Sequence, residues 1–132
     1  MIRFTYQGVS ENTGHVAKKY EMLKLSEIYL DYPGTFPRKH AIHRRLAAVE
    51  TGQDVRLCWK NEKLEIREPD GGCLGRLSME GAGKWGERLA DILEVRVRAM
   101  LRRHREDPDE SFQKRIKADQ WEIPVLEIVF RG

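Results

Sequence analysis

The stretch VRLCWKNEKLEIREPDGGCLGRL, residues 55–77, carries the architecture in its alternation. Val55, Leu57 and Trp59 alternate with Arg56, Cys58 and Lys60; after Asn61-Glu62, Leu64 and Ile66 alternate with Glu65 and Arg67. Strand side chains point to opposite faces in turn, so each run has one apolar and one polar side, and the short Asn61-Glu62 connection makes the two runs an antiparallel hairpin. Pro69-Asp70-Gly71-Gly72 reads as a second turn, because its glycines adopt positive φ without steric cost. It leads into Cys73–Leu77 as a third strand. A three-stranded antiparallel meander is expected here.

Upstream, Pro37 suits a first helical turn, Ile42, Leu46 and Val49 recur at helical spacing, and Gly52 supplies a stop. The other face of that helix carries Arg38, Lys39, His40, His43, Arg44 and Arg45. Pro33, Gly34 and Pro37 interrupt regular structure before it. Residues 16–30 fit two templates: a loose helical stripe through Val16, Tyr20, Leu23 and Ile28, or a strand beginning at Met22. Ile2–Tyr6 alternates as a short strand, and Gly8–Gly14 reads as a polar turn region.

Downstream, Ser78 is a candidate helix cap, and Trp85, Leu89 and Ile92 predict a helix over 84–93. Val95, Val97, Ala99 and Leu101 then alternate with Arg96, Arg98, Met100 and Arg102, the pattern of a strand with one wet cationic face. Asp107-Pro108-Asp109-Glu110 resembles a capped helix start, predicting a short helix to about Lys117. Trp121–Phe130 closes the chain as a strand in which Pro124 must sit at an edge or bulge. Short turns between strands and the absence of βαβ alternation define an α+β class. The expected form is a small curled or partly closed antiparallel sheet, barrel-like, with two to four peripheral helices. Residues 1–36 are expected to pack as an N-terminal segment on a domain spanning 37–132.

With 132 residues, 40% of them hydrophobic and 34% charged, the chain is too apolar to be disordered and large enough for one core without a disulfide framework. No apolar run reaches the roughly 18 to 20 residues of a membrane span, and Met1–Tyr6 lacks a signal-peptide profile, so a cytoplasmic location is expected. Cys58 and Cys73 sit in alternating segments and read as buried, reduced thiols; a bridge between adjacent strands is the alternative.

The net charge of +3 conceals basic blocks. Residues 38–60 hold six Lys/Arg against two acids and residues 95–105 hold five Arg against none, while 61–94 and 106–132 are each net acidic. Such concentration directs a positive field at one surface and attracts polyanions there. Phosphate loops, dinucleotide turns and Cys/His clusters are missing, so neither a catalytic residue nor a cofactor is assigned. His40 and His43 lie three apart, but the surrounding Lys/Arg repel a cation and no third ligand accompanies them. They read as phosphate contacts or as a solvated helix face. The acids at 106–110 read as helix capping rather than a metal site. Gly81-Ala82-Gly83-Lys84 lacks the spacing of a phosphate cradle.

Strand geometry would bring Arg96, Arg98 and Arg102 out on one face, alternate positions repeating about every 6.6 to 6.8 Å. That is near twice the roughly 3.4 Å phosphate repeat of one duplex strand, so contacts to alternate phosphates are geometrically reasonable. The competing reading pairs these arginines with Glu65, Glu87 or Glu94 across the sheet. Trp59, Trp85 and Trp121 are candidates for base stacking, each also lying on an apolar stripe that suits the core.

The run Pro37–Ala48, followed by Gly52–Leu57, Gly71–Leu77 and Trp121–Phe130, resembles the C-terminal accessory region of bacterial RecQ-type ATP-dependent DNA helicases. The resemblance implies an ATPase motor outside this chain and a DNA-contacting or partner-contacting appendage within it. Gly52–Leu57, Leu64–Ile66 and Leu74–Leu77, with a helix and strand after them, are also similar in order to HIRAN domains, barrel-like modules that bind DNA ends. The Asn/Asp/Pro/Tyr-rich segment of that family is missing between Trp59 and Leu64, so its end-binding pocket is not carried over.

The expectation is a DNA-binding accessory module without catalysis and of low sequence specificity, taking single-stranded or forked DNA and possessing no membrane partner. Arg96, Arg98, Arg102 and Arg103, with Arg38, Lys39, Arg44 and Arg45, would neutralise phosphates; the helicase core or another repair protein is a further expected partner. The alternative is a protein-interaction domain docking on an acidic partner or on the rest of a larger polypeptide, which an exposed apolar patch around Trp85 or Trp121 would favour.

Overall fold

In the computed structural model, which describes residues 17–132, the elements run as β1 (Lys18–Met22), α1 (Ala41–Ala47), β2 (Asp54–Lys60), β3 (Lys63–Arg67), β4 (Cys73–Arg76), α2 (Met79–Trp85), β5 (Ile92–His104) and β6 (Gln120–Arg131). The expected strand at Ile2–Tyr6 and the turn region at Gly8–Gly14 lie outside the described residues. The strands form one antiparallel sheet in the order β1-β6-β5-β2-β3-β4, so the class is α+β. Among the described residues the sheet is open, with β1 and β4 at its edges. An isolated bridge between Ile28 and Leu77, with Tyr29 N–H donating to the Arg76 carbonyl and Ser78 N–H to that of Glu27, both at 2.9 Å, ties the segment after β1 to the end of β4.

The β2–β3–β4 meander, which forms one side of the sheet, follows its sequence pattern. Asn61 and Glu62 both have positive φ, 49° and 66°, the conformation whose twist matches two paired strands, and Trp59 stands opposite Leu64. In the second turn Gly71 takes φ 94°, and the Asp70 carboxylate accepts the Gly72 N–H at 2.9 Å. Cys58 and Cys73 lie on β2 and β4 with β3 between them. Two strand spacings are about 9.6 Å, beyond the roughly 7 Å reach of a disulfide. Both thiols are free and half-buried rather than fully buried.

Other expectations are corrected. Of the two templates for residues 16–30 the strand is the one formed, but over Lys18–Met22 rather than from Met22 onward, and it pairs with β6, so part of the N-terminal segment belongs to the sheet. α1 begins at Ala41, after the His40 cap, rather than at Pro37. The helix expected over 84–93 occupies Met79–Trp85 instead, with Ser78 capping it by accepting the Gly81 N–H at 3.1 Å. Beyond Gly86 the chain makes one 3-10 turn, and Ile92 already pairs with Phe130 in the sheet. The apolar stripe Trp85-Leu89-Ile92 thus spans three different structures. The helix expected from Asp107 is absent: its carboxylate accepts the His104 N–H at 2.7 Å, closing a loop at the end of β5, and a single 3-10 turn, Gln113–Arg115, follows.

The core is continuous from Ile42 and Leu46 of α1 through Leu64, Ile66, Leu74, Trp85, Val97, Leu126 and Ile128. Each such fully buried apolar side chain stabilises by about 1.5–3 kcal/mol. Pro124 is opposite Met100 in β6, past the end of β1, so its missing N–H falls where β6 has a strand on one side. The opposite face of that end of β6 is covered by the chain around Leu30–Gly34. Trp121 Nε1–H donates to the Leu30 carbonyl at 2.8 Å, and a side chain at Gly34 would meet the Trp121 ring at 2.8 Å. Among the described residues no helix is long and apolar enough to cross a membrane.

Candidate nucleic-acid interface

The arginine ladder of β5 is broken by an irregularity that alternation cannot reveal. Pairing with β6 shifts between Val97 and Ala99, leaving Arg98 as an extra residue. Directly opposed residues share a face of the sheet, and an inserted residue reverses which positions do so. Val97 opposes Leu126, Met100 opposes Pro124 and Arg102 opposes Glu122, so Arg102 lies on the face of Val97. Arg96 opposes Glu127 and lies on the other. The expected single cationic face through Arg96, Arg98 and Arg102 is therefore corrected.

Carboxylates also engage these side chains. Arg96 makes a two-pronged contact with Glu94, both bonds 3.0 Å, and its guanidinium holds the Glu94 carboxyl below its usual range. Arg103 bonds Asp31 at 2.6 Å and is turned toward the segment over Trp121. Arg102 reaches Glu122 at 3.5 Å, and Arg98 is 3.9 Å from Glu127. On α1, Arg45 bonds Glu68 at 3.0 Å and Asp70 at 3.1 Å. Arg45 and Arg103 thus tie separate segments of the fold together, and Arg96 is paired within its own strand, so none of the three is a free cation.

The tertiary structure assembles a different basic site. Arg38 from the approach to α1, Arg44 from α1 and Arg102 from β5 line one cavity of about 320 Å³, together with His43, Gln120, Trp121 and Glu122. Adjacent helical positions are about 100° apart, which sends Arg44 toward this cleft while Arg45 turns to the β3–β4 turn. Among the described residues no ion pair engages Arg38, Lys39 or Arg44. Glu122 is the carboxylate lining the cleft, and it already faces Arg102, whose side chain is 58% exposed. Three planar guanidinium groups in one concavity offer the fork geometry that matches phosphate oxygens.

His40, the cap of α1, and His43 within it are both occupied structurally. His40 Nδ1 accepts the Ile42 N–H at 3.1 Å as the helix cap, and His43 Nε2 lies 3.0 Å from the Phe36 carbonyl as its donor. His43 reaches the cleft wall, while His40 stacks on Phe36 at 4.3 Å between ring centroids. Burial pushes the Cys73 thiol up, away from nucleophilic use.

Of the tryptophans weighed for stacking, Trp85 and Trp121 are core residues, so neither ring offers an exposed face. Trp59, expected to be core, is 49% exposed. Its indole N–H donates to the Gly86 carbonyl at 3.3 Å, and its ring walls a cavity of about 690 Å³ with Tyr29, Leu64, Leu77 and Met79. Lys63 and Arg76 line the same cavity. Sequence reasoning missed this site because its walls come from the segment after β1, the β2–β3 hairpin and α2. The signal present was the position of Trp59 at the very end of its strand, next to the turn.

Family models, curated proteins and solved structures, compared with the chain, yield no match.

Proposed function

We propose that this domain is a non-catalytic nucleic-acid-binding module that takes DNA with little sequence preference, as an accessory part of a helicase or repair protein. The observation that carries the reading is the convergence of Arg38 and Arg44 with Arg102 on one cleft, from segments far apart in the chain. Phosphates of a DNA strand would lie in that cleft, with Lys39 and Arg98 extending the positive field beyond it. Trp59 adds an accessible aromatic face on which an unpaired base can stack, flanked by Lys63, which favours single-stranded or forked DNA. The resemblance to RecQ accessory regions and HIRAN domains agrees with this reading. So does a curled, barrel-like form of the sheet, for which the Ile28 to Leu77 bridge speaks.

The deciding experiment is a fluorescence-anisotropy titration with single-stranded, duplex and forked DNA at two salt concentrations. Binding that weakens steeply with salt and prefers unpaired strands is expected. Absence of binding at low salt would remove the reading. A protein-docking role is the second reading, favoured by Met79, 89% exposed beside Trp59; it predicts that no DNA binds while the Trp59 cavity still captures a partner.

A further inference from the structure

Among the described residues β1 is an edge strand with no neighbour on its outer side. Leu23 N–H donates to the Leu126 carbonyl and Gly132 N–H to that of Ala17, with Lys19 opposite Phe130 and Glu21 opposite Ile128 between them. Residues 17, 19, 21 and 23 therefore turn their main-chain groups toward β6. Alternation then directs the N–H and C=O groups of Lys18, Tyr20 and Met22 away from the sheet. Among the described residues no strand meets them. Along this border Tyr20 is 61% exposed, Met22 45% and Leu25 44%. An uncovered edge with apolar side chains is a template for another strand.

We propose that this edge joins two copies of the chain, β1 pairing antiparallel with β1 about a twofold axis at Tyr20. The sequence Lys18-Lys19-Tyr20-Glu21-Met22 is complementary to its own reverse in that register. Tyr20 faces Tyr20 and Lys18 faces Met22, the positions with outward main-chain groups, while Lys19 of each copy faces Glu21 of the other. Lys84 engages Oε2 of Glu21, which leaves Oε1 for the incoming Lys19. The neighbouring registers that keep the same hydrogen-bond parity are penalised. One sets Glu21 against Glu21 and the other Lys19 against Lys19, like charges directly opposed. The pairing is isologous and extends the sheet across both molecules. A five-residue strand covers less than the roughly 1,200 Å² of a tight complex, so association is weak and concentration-dependent.

Sedimentation velocity on the full chain over a concentration series tests this, and a shift from monomer to dimer mass is expected. Tyr20→Pro removes an outward N–H without touching the ladder to β6, so it should abolish the dimer while leaving the far-ultraviolet spectrum unchanged. Lys19→Glu should also abolish it, and Lys19→Glu combined with Glu21→Lys should restore it. A monomer at every concentration overturns the proposal, as does a dimer that survives Tyr20→Pro or Lys19→Glu. If Tyr20→Pro fails to fold, the charge-exchange pair decides. Protection of the Tyr20 amide from exchange in a strictly monomeric sample would assign the edge to another segment of the same chain and likewise overturn it.

Discussion

The Arg45 guanidinium donates to the Glu68 carboxylate at 3.0 Å and so fastens α1 to the turn between β3 and β4. Its sequence neighbour Arg44 points instead into the cleft shared with Arg38 and Arg102. Two adjacent arginines thereby acquire different tasks, and substitution should separate them. Arg38→Glu with Arg44→Glu should weaken DNA binding and reduce the salt slope by about 0.7 for each phosphate that a single strand no longer has neutralised. Arg45→Gln should lower the thermal unfolding midpoint and leave the salt slope unchanged. Equal loss of affinity in both variants would mean that the cleft is not the binding surface.

Trp59 is half-exposed, so its removal should cost little stability. Trp59→Ala should weaken single-stranded DNA binding by about 1–3 kcal/mol, the value of one base stacked on an aromatic ring, while leaving the salt slope intact. Quenching of tryptophan fluorescence on titration should vanish in the same variant. Undiminished affinity would exclude Trp59 from the interface.

Glycines in α2 make opposite predictions. A Cβ at Gly81 would come within 2.1 Å of the Glu27 carbonyl oxygen, whereas one at Gly83 would meet nothing within 4 Å. Gly83→Ala should stabilise by about 0.5–1 kcal/mol through helix propensity. Gly81→Ala should instead destabilise by about 1–3 kcal/mol, as overpacking does, despite the same propensity gain. Urea unfolding measures both, and a stabilising Gly81→Ala would contradict the close packing of α2 on the Ser26–Glu27 backbone.

Asp70 is held below its usual range first by the Gly72 N–H and then by Arg45, and Glu94 is held low by Arg96. A carboxyl more acidic in the folded chain binds fewer protons there. It therefore adds stability above its unfolded value, 3.8 for Asp70 and 4.5 for Glu94, and that contribution is lost as pH falls through the lowered folded value. Wild-type unfolding midpoints should fall over this acid range, and Asp70→Asn with Glu94→Gln should fall less steeply. Parallel curves for the two proteins would place the acid sensitivity elsewhere.

The meander was legible because alternation and turn chemistry are local: Asn61-Glu62 and Asp70-Gly71-Gly72 adopt the turns their residues favour, and Val55 through Leu77 pair accordingly. The α1 stripe through Ile42 and Leu46, and the cap at Ser78, were legible for the same reason. Residues 84–93 misled because spacing at i, i+4 and i+7 fits a helix and also fits a chain that leaves one at Gly86 and enters a sheet at Ile92. The capping signal at Asp107 misled because its carboxylate found the His104 N–H behind it before any helix ahead.

The α+β class, the β2–β3–β4 hairpins and the concentration of cations in two blocks follow from the order of residues, since each depends on neighbours a few positions apart. Which of those cations are free follows from the packed molecule instead. The extra residue at Arg98 sends Arg102 to the opposite face from Arg96, and Asp31, Glu68 and Glu94 occupy Arg103, Arg45 and Arg96. Pairing register and long-range ion pairs are set by which surfaces pack together, and Arg38, Arg44 and Arg102 share a cleft for that reason.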